Sequence, residues 1–229
     1  PAGNIHNGSR VIFDPDGHLW VTTGDAGNAD LAQQMDSLAG KVLRMTSDGK
    51  PALDNPFADE PYPFSLIYTL GHRNPQGLDF HPESGTAFIT EHGTDENDEV
   101  NVLQPGGNYG WPEFRGQVGE EGYVDPIYTW TPTIAPAGAA FLFGLAPAGL
   151  EGTFVFVTLK QSDIRVLVPR DRAFSVVANE EVLFDEQFGR LRAIALGPDG
   201  ALYVATSNQD GRGSRGSEDD RIIRIEAVD

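Results

Sequence analysis

The sequence predicts an all-β protein of the β-propeller class. Three stretches share one plan, in which an apolar strand leads into a turn with proline, an acidic residue and glycine, and then into a second apolar strand. Such turns between β-branched and aromatic runs are typical of β-hairpins. The turn prolines recur at the spacing of large propeller blades. The stretches are residues 11–23, 78–90 and 193–206, and a looser copy runs from Leu145 through Pro147 and Gly152 to Thr158.

A further strand follows each hairpin, at residues 41–45, 99–103, 164–168 and 221–225. Radially stacked sheets explain both this period and the near absence of helical patterning, and we expect about four blades. One short helix is expected from Ala29 to Leu38. A β-sandwich is the alternative architecture, since it also uses many short hairpins.

Residues 1–229 are expected to form a single propeller domain. Four repeats are few for a closed ring, and the chain begins almost on its first strand. The expectation is therefore that this is the C-terminal portion of a longer propeller whose first blades are absent.

The composition excludes several classes of function. With 34 acidic and 16 basic residues, the formal net charge is −18, and such a surface repels nucleic acids and anionic lipid. The chain contains no cysteine, which excludes thiolate metal sites, disulfides and cysteine nucleophiles. The longest uncharged run, residues 127–150, is interrupted by prolines and glycines and is interpreted as loop and buried strand rather than a membrane span.

The loop of residues 71–77, Gly-His-Arg-Asn-Pro-Gln-Gly, is the strongest candidate for a functional site. Pro75 biases Asn74 towards an extended or turn conformation, so Arg73 and Asn74 project from a loop between structured segments. His6 stands just before the first strand and is a candidate general base, because imidazole titrates near neutral pH. A polar loop and a merely exposed histidine are the alternatives.

Two more groups of residues indicate ligands. The run of residues 91–99 is rich in the hard oxygen ligands that calcium takes, although acidic runs are usually only solvated faces. Lys160 ends a strand, and Arg190 and Arg192 lie two residues apart, so the two guanidiniums can face one side and clamp carboxylates. The alternative is a surface pair that balances an acidic protein.

Taken in order, these segments resemble the soluble pyrroloquinoline quinone (PQQ)-dependent sugar dehydrogenases, a family of six-bladed propellers that includes glucose/sorbosone and aldose sugar dehydrogenases. The resemblance covers nearly the whole chain. It rests on residues 6–10 (HNGSR), 23–27 (TGDAG), 38–44 (LAGKVLR), 54–57 (DNPF), 71–77 (GHRNPQG), 91–93 (EHG) with 98–99 (DE), 107–112 (GNYGWP) and 189–192 (GRLR).

The resemblance implies oxidation of the C1 hydroxyl of an aldose to the lactone, with hydride transfer to PQQ and an external electron acceptor. His6 would be the general base. Arg73 and Asn74 would contact the cofactor near the quinone oxygens, where Arg73 would stabilise charge that develops in the reaction. It implies that the PQQ carboxylates are held by Lys160, Arg190 and Arg192. A calcium ion that polarises the quinone would be held by carbonyl groups of Gly93 and Thr94. A second calcium would lie at Glu99 and Tyr109.

Some expectations rest on the resemblance alone, and some features depart from it. An extracytoplasmic location, periplasmic or secreted, is implied by the family only. Open sheet edges make a homodimer conceivable. Thr94 stands where relatives often have proline, and the family's first two blades have no counterpart here. A non-catalytic binding propeller and a calcium-dependent sugar lactonase remain alternatives.

Overall fold

The part of the chain that the structure describes is built almost entirely from β-strands. The computed structural model describes residues 3–8, 10–144, 146–147, 149–171, 174–214 and 216–226. The strands are β1 (Val11–Phe13), β2 (Leu19–Thr23), β3 (Lys41–Met45), β4 (Ile67–Leu70), β5 (Pro75–Phe80), β6 (Ala87–Glu91), β7 (Asp98–Val102), β8 (Tyr128–Trp130), β9 (Pro136–Leu142), β10 (Thr153–Thr158), β11 (Ile164–Pro169), β12 (Val177–Leu183), β13 (Leu191–Leu196), β14 (Leu202–Thr206) and β15 (Ile222–Ile225).

These strands form four antiparallel sheets in which each strand pairs with the next along the chain. The orders are β1-β2-β3-β4, β5-β6-β7-β8, β9-β10-β11-β12 and β13-β14-β15. The first strands of successive sheets lie side by side, with β5 against β9 and β9 against β13. Meandering sheets that meet through their first strands are the blades of a β-propeller. The propeller prediction is therefore confirmed, and the described part of the chain forms four blades.

Apolar layers between neighbouring sheets hold the blades together. Trp20 from the first sheet joins Leu78 and Phe80 from the second. Phe88 and Phe154 belong to the next cluster, where aromatic rings dominate, and pairs of such rings in edge-to-face contact stabilise a core beyond their buried area. The third and fourth sheets share a cluster of aliphatic side chains: Leu142, Val155, Ile164, Leu191 and Leu202.

The three clear hairpin predictions agree with β1–β2, β5–β6 and β13–β14. The looser copy ends correctly on β10, but the partner strand is β9 at Pro136–Leu142, and Leu145 lies outside the described residues. The further strands agree with β3, β7, β11 and β15 to within a residue or so.

The expected helix from Ala29 to Leu38 is wrong in length and type, because only a 3₁₀ helix at Ala29–Ala32 forms there. The carbonyls of Leu31 and Ala32 accept hydrogen bonds from the Lys41 ammonium, and the Ala32 carbonyl also accepts from the backbone amide of Gly71. A second 3₁₀ helix spans Phe64–Leu66. Among the described residues, no helix has the length and apolar character needed to cross a membrane.

The antiparallel pairing also gathers the candidate residues. In the second sheet the start of β5 faces the end of β6, with Pro75 opposite Glu91. Loops that precede a first strand and loops that follow a second strand therefore emerge at the same end of a blade. The predicted site residues of blades two to four lie on such loops or at the adjoining strand ends, except for Tyr109, which lies on the connection between β7 and β8.

Candidate active site

His6 is held by a buried carboxylate that comes from the loop after β2. Its Nδ1 atom lies 2.9 Å from Oδ1 of Asp25, whose side chain is 2% exposed, while His6 is 19% exposed. Because a carboxylate accepts, the proton is assigned to Nδ1, and Nε2 keeps a lone pair. Nε2 has no hydrogen-bond partner in the described part of the chain. An imidazole oriented in this way can accept a proton from a bound hydroxyl.

Asp25 is itself fixed by three donors. Oδ1 also accepts from the Gly27 amide at 2.8 Å, and Oδ2 accepts from the Trp111 indole Nε1 at 2.9 Å. The preceding residue must be glycine, since a Cβ at Gly24 would lie 2.1 Å from the His6 carbonyl oxygen. The Thr-Gly-Asp segment therefore brings the His6 loop and the Asp25 carboxylate together.

A second buried carboxylate pins the backbone of the Arg73-Asn74 loop. Oε1 of Glu91 accepts hydrogen bonds from the backbone amides of Arg73 and Asn74, the latter at 3.2 Å. Oε2 of Glu91 lies 2.9 Å from Nδ1 of the fully buried His72. Hydrogen bonds to a buried carboxylate are among the stronger ones in proteins. Glu91 therefore fixes the backbone of the loop from which the Arg73 and Asn74 side chains extend.

The Arg73 guanidinium lies over an aromatic face and keeps part of its bonding capacity. Its Cζ is 5.4 Å from the Trp111 ring centre, and Nη1 donates to the His92 carbonyl at 3.2 Å. Nε is buried without a partner among the described residues. Burial lowers the pKa of Arg73, and the nearby carboxylates, Asp25 foremost, oppose that shift. Because a guanidinium stays protonated in proteins, its charge is available to a bound ligand.

Asn74 is oriented by the histidine that follows Glu91. Nε2 of His92 donates to the Pro136 carbonyl at 2.8 Å, so its Nδ1 is an acceptor and lies 3.4 Å from Nδ2 of Asn74. Burial lowers the pKa of His92 to about 4, which keeps the ring neutral near pH 7. Oδ1 of Asn74 accepts from the Gly8 amide at 3.3 Å, and this contact links the loop to the His6 segment.

The three predicted cations have different surroundings. Arg190 donates through Nε and Nη2 to Asp210, at 3.0 and 2.9 Å, and through Nη1 to the Leu159 carbonyl. Arg192 is 3.8 Å from the same carboxylate and bonds the neutral side chain of Gln76 at 3.1 Å. Exposed Lys160 donates to Thr133 at 2.9 Å. Arg190 and Arg192 thus share Asp210. The carboxylate lies farther from Arg192, so the charge of Arg192 is less neutralised than that of Arg190.

The predicted calcium loop is tightly folded around Gly93. A Cβ at this position would lie 2.1 Å from the Glu96 carbonyl oxygen and 2.4 Å from that of Asn97, so only glycine fits. The Gly93 amide donates to buried Asp98 at 2.7 Å. Within the described ranges, no hydrogen bond is made to the carbonyl oxygens of Gly93 or Thr94. Unbonded carbonyls in a tight loop fit an ion that takes backbone oxygens.

The predicted metal residues line one cavity together with Arg73. The cavity has a volume of about 310 Å³, which includes the space where it opens to solvent, and is lined in part by Gly93, Thr94, Glu99 and Tyr109. Burial, reinforced by the neighbouring Glu91, raises the pKa of Glu99 to about 7. The Tyr109 hydroxyl points elsewhere, donating to the Val102 carbonyl at 2.6 Å. Among the described residues, no group of three or more histidine, aspartate or glutamate side chains converges as a metal site.

Sequence reasoning missed several residues that build the site. Asp25 and Trp111 lie in segments quoted for the family resemblance, but neither was assigned a role. From the sequence, Glu91 stands out only as one member of an acidic run. For Asp25 the sequence does offer a signal: it is the lone acidic residue between the two glycines of residues 23–27, in a loop that follows a predicted strand.

Comparison with known proteins gives a consistent result. A family model described as glucose/sorbosone dehydrogenase matches residues 1–223. An aldose sugar dehydrogenase of Escherichia coli K12 is 32% identical over 92% of this chain and 59% of its own length. Quinoprotein glucose dehydrogenase B of Acinetobacter calcoaceticus is 36% identical over 56% of this chain and 30% of its own length.

A solved structure extends the likeness to three dimensions. The PQQ-bound aldose sugar dehydrogenase of Streptomyces coelicolor is 38% identical, with a TM-score of 0.87 over 99% of this chain and 63% of that one. The chain thus spans less than two thirds of the length of each of these relatives, from 30% to 63%. The chain belongs to the glucose/sorbosone dehydrogenase family.

Proposed function

We propose that the whole protein is a PQQ-dependent sugar dehydrogenase that oxidises the C1 hydroxyl of an aldose to the lactone. The observation that carries this proposal is the His6–Asp25 pair, which leaves Nε2 of His6 with a free lone pair beside the Arg73-Asn74 loop. Relatives named as aldose and glucose dehydrogenases support it, one of them solved with PQQ bound.

The chain's residues have distinct tasks in this proposal. Nε2 of His6 takes the proton of the C1 hydroxyl, and the Asp25 carboxylate stabilises the imidazolium that forms. Arg73 and Asn74 orient the reacting face and stabilise negative charge that develops there. When bound, PQQ would supply the hydride acceptor for this oxidation, and calcium would supply a Lewis acid.

Other residues would hold the cofactors. Arg192, with Arg190 and Lys160, supplies positive charge for the PQQ carboxylates, and its neutral partner Gln76 leaves that charge available. The Gly93 and Thr94 carbonyls would bind the catalytic calcium. Glu99 and the Tyr109 segment would bind the second one.

The remaining proposals concern the whole molecule. Four blades are two thirds of a six-bladed ring, and this chain spans 59% and 63% of two relatives, so we place residues 1–229 in a single propeller domain of six blades. An external electron acceptor, an extracytoplasmic location and a homodimer complete the proposal.

Reconstitution tests the function. The whole protein, stripped with a chelator and supplied with PQQ and calcium, is expected to reduce an artificial acceptor when aldoses are added, and His6→Ala is expected to abolish this. No sugar-dependent reduction, or an unaffected His6→Ala variant, would reject the proposal. Lactone hydrolysis without PQQ would favour the lactonase, and saturable sugar binding without turnover would favour a binding propeller.

The 229-residue chain allows a second, sharper measurement. We expect titration with PQQ to show saturable binding that requires calcium, because His6, Arg73, Asn74 and Arg192 are already connected within this chain. Binding only in the whole protein would show that the pocket needs further residues.

A further inference from the structure

Gln76 is a buried amide at the junction of two candidate cofactor contacts, Asn74 and Arg192. It is the second residue of β5, and its side chain is almost fully buried. Its Nε2 donates to Oδ1 of Asn74 at 3.0 Å, and its Oε1 accepts from Nη1 of Arg192 at 3.1 Å. One amide therefore bridges the Arg73-Asn74 loop of the second blade and a cation of the fourth.

The backbone of Gln76 extends this junction to the first blade. Its carbonyl accepts from Nη2 of Arg10 at 3.1 Å. A Cβ at Gly138, on β9 of the third blade, would lie 3.0 Å from the same Nη2 atom. The two guanidiniums of Arg10 and Arg192 therefore approach Gln76 from different blades, near the axis where the first strands meet.

We propose that Gln76 is a positioning residue of the cofactor pocket, which fixes the Arg192 guanidinium and the Asn74 carboxamide relative to each other. The chemistry of the side chain suits this task. An amide presents one acceptor and one donor side at a fixed separation. A carboxylate in its place would neutralise Arg192 and lack the donor for Asn74, whereas an apolar residue would leave both groups unpartnered on that side.

Rigid placement matters because both groups are long or rotatable. A free arginine side chain loses rotamer entropy when it binds a ligand, and a preorganised one has already lost it on folding. The proposal rests on the proposed function insofar as the ligand is PQQ. The orientation of Asn74 and Arg192 by Gln76 can be measured without any cofactor.

Two variants form the test, Gln76→Leu and Asn55→Leu. Asn55 is a matched control in the first blade, because it is also a buried amide that donates twice, to the Arg44 and Ser65 carbonyls at 2.7 and 2.9 Å. In the cofactor-free whole protein, NMR signals of the Asn74 side-chain amide and the Arg192 Nε–H are expected to shift or broaden in Gln76→Leu. Both signals should stay in place in Asn55→Leu, even where the two variants lose similar thermal stability.

PQQ affinity gives the second readout. Gln76→Leu is expected to weaken PQQ binding about tenfold in the presence of Arg192 and clearly less in an Arg192→Leu background, since contacting residues are energetically coupled. Unmoved Asn74 and Arg192 signals, or strictly additive losses in affinity, would overturn the positioning role. A wild-type protein that binds no PQQ would reject the proposed function, and the cofactor-free NMR comparison would still decide the role of Gln76.

Discussion

At the scale of single residues, the site is a set of polar side chains whose orientation is fixed by buried partners. Asp25 illustrates the principle, because three donors converge on its two oxygens, from His6, Gly27 and Trp111. An asparagine would offer one oxygen and turn an amide N–H towards one of these donors. The position therefore requires a carboxylate.

Asp25→Asn is expected to lower kcat of the reconstituted whole protein by about a hundredfold or more, because His6 loses its orienting acceptor. Steady-state reduction of an artificial acceptor measures the effect. Asp30→Asn, an exposed aspartate in the nearby 3₁₀ helix, is the control and should retain full activity. Equal rates in the wild type and Asp25→Asn would show that the pair does not take part in catalysis.

The individual candidates could be found from sequence, but their partners could not. His6 and Arg73 stand out by residue type and loop context. His6 and Asp25 are 19 residues apart in sequence, and Asp25 and Trp111 are 86 residues apart. No local sequence pattern indicates that residues so far apart are in contact. Such contacts depend on how the blades are placed around the axis, which a hairpin pattern alone does not specify.

At the scale of elements, hairpins with strong turn signals were predicted well, and outer strands were not. β8 has only three residues, and β12 is largely exposed, so neither shows a distinctive apolar run. The pattern that predicted a helix after Ala29 was overridden by Lys41. This fully buried ammonium donates to the Leu31, Ala32 and Ala39 carbonyls.

Lys41 makes stability depend on pH in a defined direction. Burial lowers its pKa to about 8 in the folded protein, against about 10.4 in an unfolded chain. Between these values the unfolded state binds more protons, so the contribution of Lys41 to the free energy of unfolding rises with pH. Below about pH 8 the ammonium is charged in both states, and the cost of its burial is felt in full.

From about pH 7 to about pH 10, the wild type is therefore expected to gain about 2 kcal/mol in free energy of unfolding relative to the Lys41→Met variant. Urea denaturation at several pH values measures it. Lys50→Met, which removes an exposed lysine, should give a difference that is nearly independent of pH. A flat difference for Lys41→Met would contradict a lowered pKa.

A carboxylate on the otherwise exposed strand β12 connects the second and third blades. Glu180 accepts from the Trp130 indole and from Arg165, both at 2.8 Å, and from the Tyr128 hydroxyl at 3.1 Å. Glu180→Ala is expected to lower the free energy of unfolding by about 2 kcal/mol, since three donors lose their acceptor. Glu181→Ala removes the next side chain, which is exposed, and should cost little. Similar losses for both variants in chemical denaturation would show that the bridge between blades contributes nothing.

At the scale of the whole molecule, the net charge of −18 bears on the electron acceptor of the proposed dehydrogenase. A strongly acidic surface attracts cationic partners and repels anionic ones, and dissolved salt screens both effects within about 10 Å at 0.1 M. The cations of the site are few, and salt screens them over the same distance. Acceptor charge should therefore control the rate at which the reduced protein is reoxidised.

With sugar and calcium saturating, the second-order rate constant for a cationic dye is expected to fall by about tenfold from low to high ionic strength. For an anionic acceptor such as ferricyanide it should rise, and for a neutral quinone it should hardly change. Stopped-flow reoxidation of the reduced whole protein gives all three values. The neutral acceptor separates screening from any effect of salt on the fold or on cofactor binding. If the rate constants for all three acceptors changed with salt in the same way, the prediction would be wrong. The acidic residues would then exert no net field where the acceptor takes up electrons.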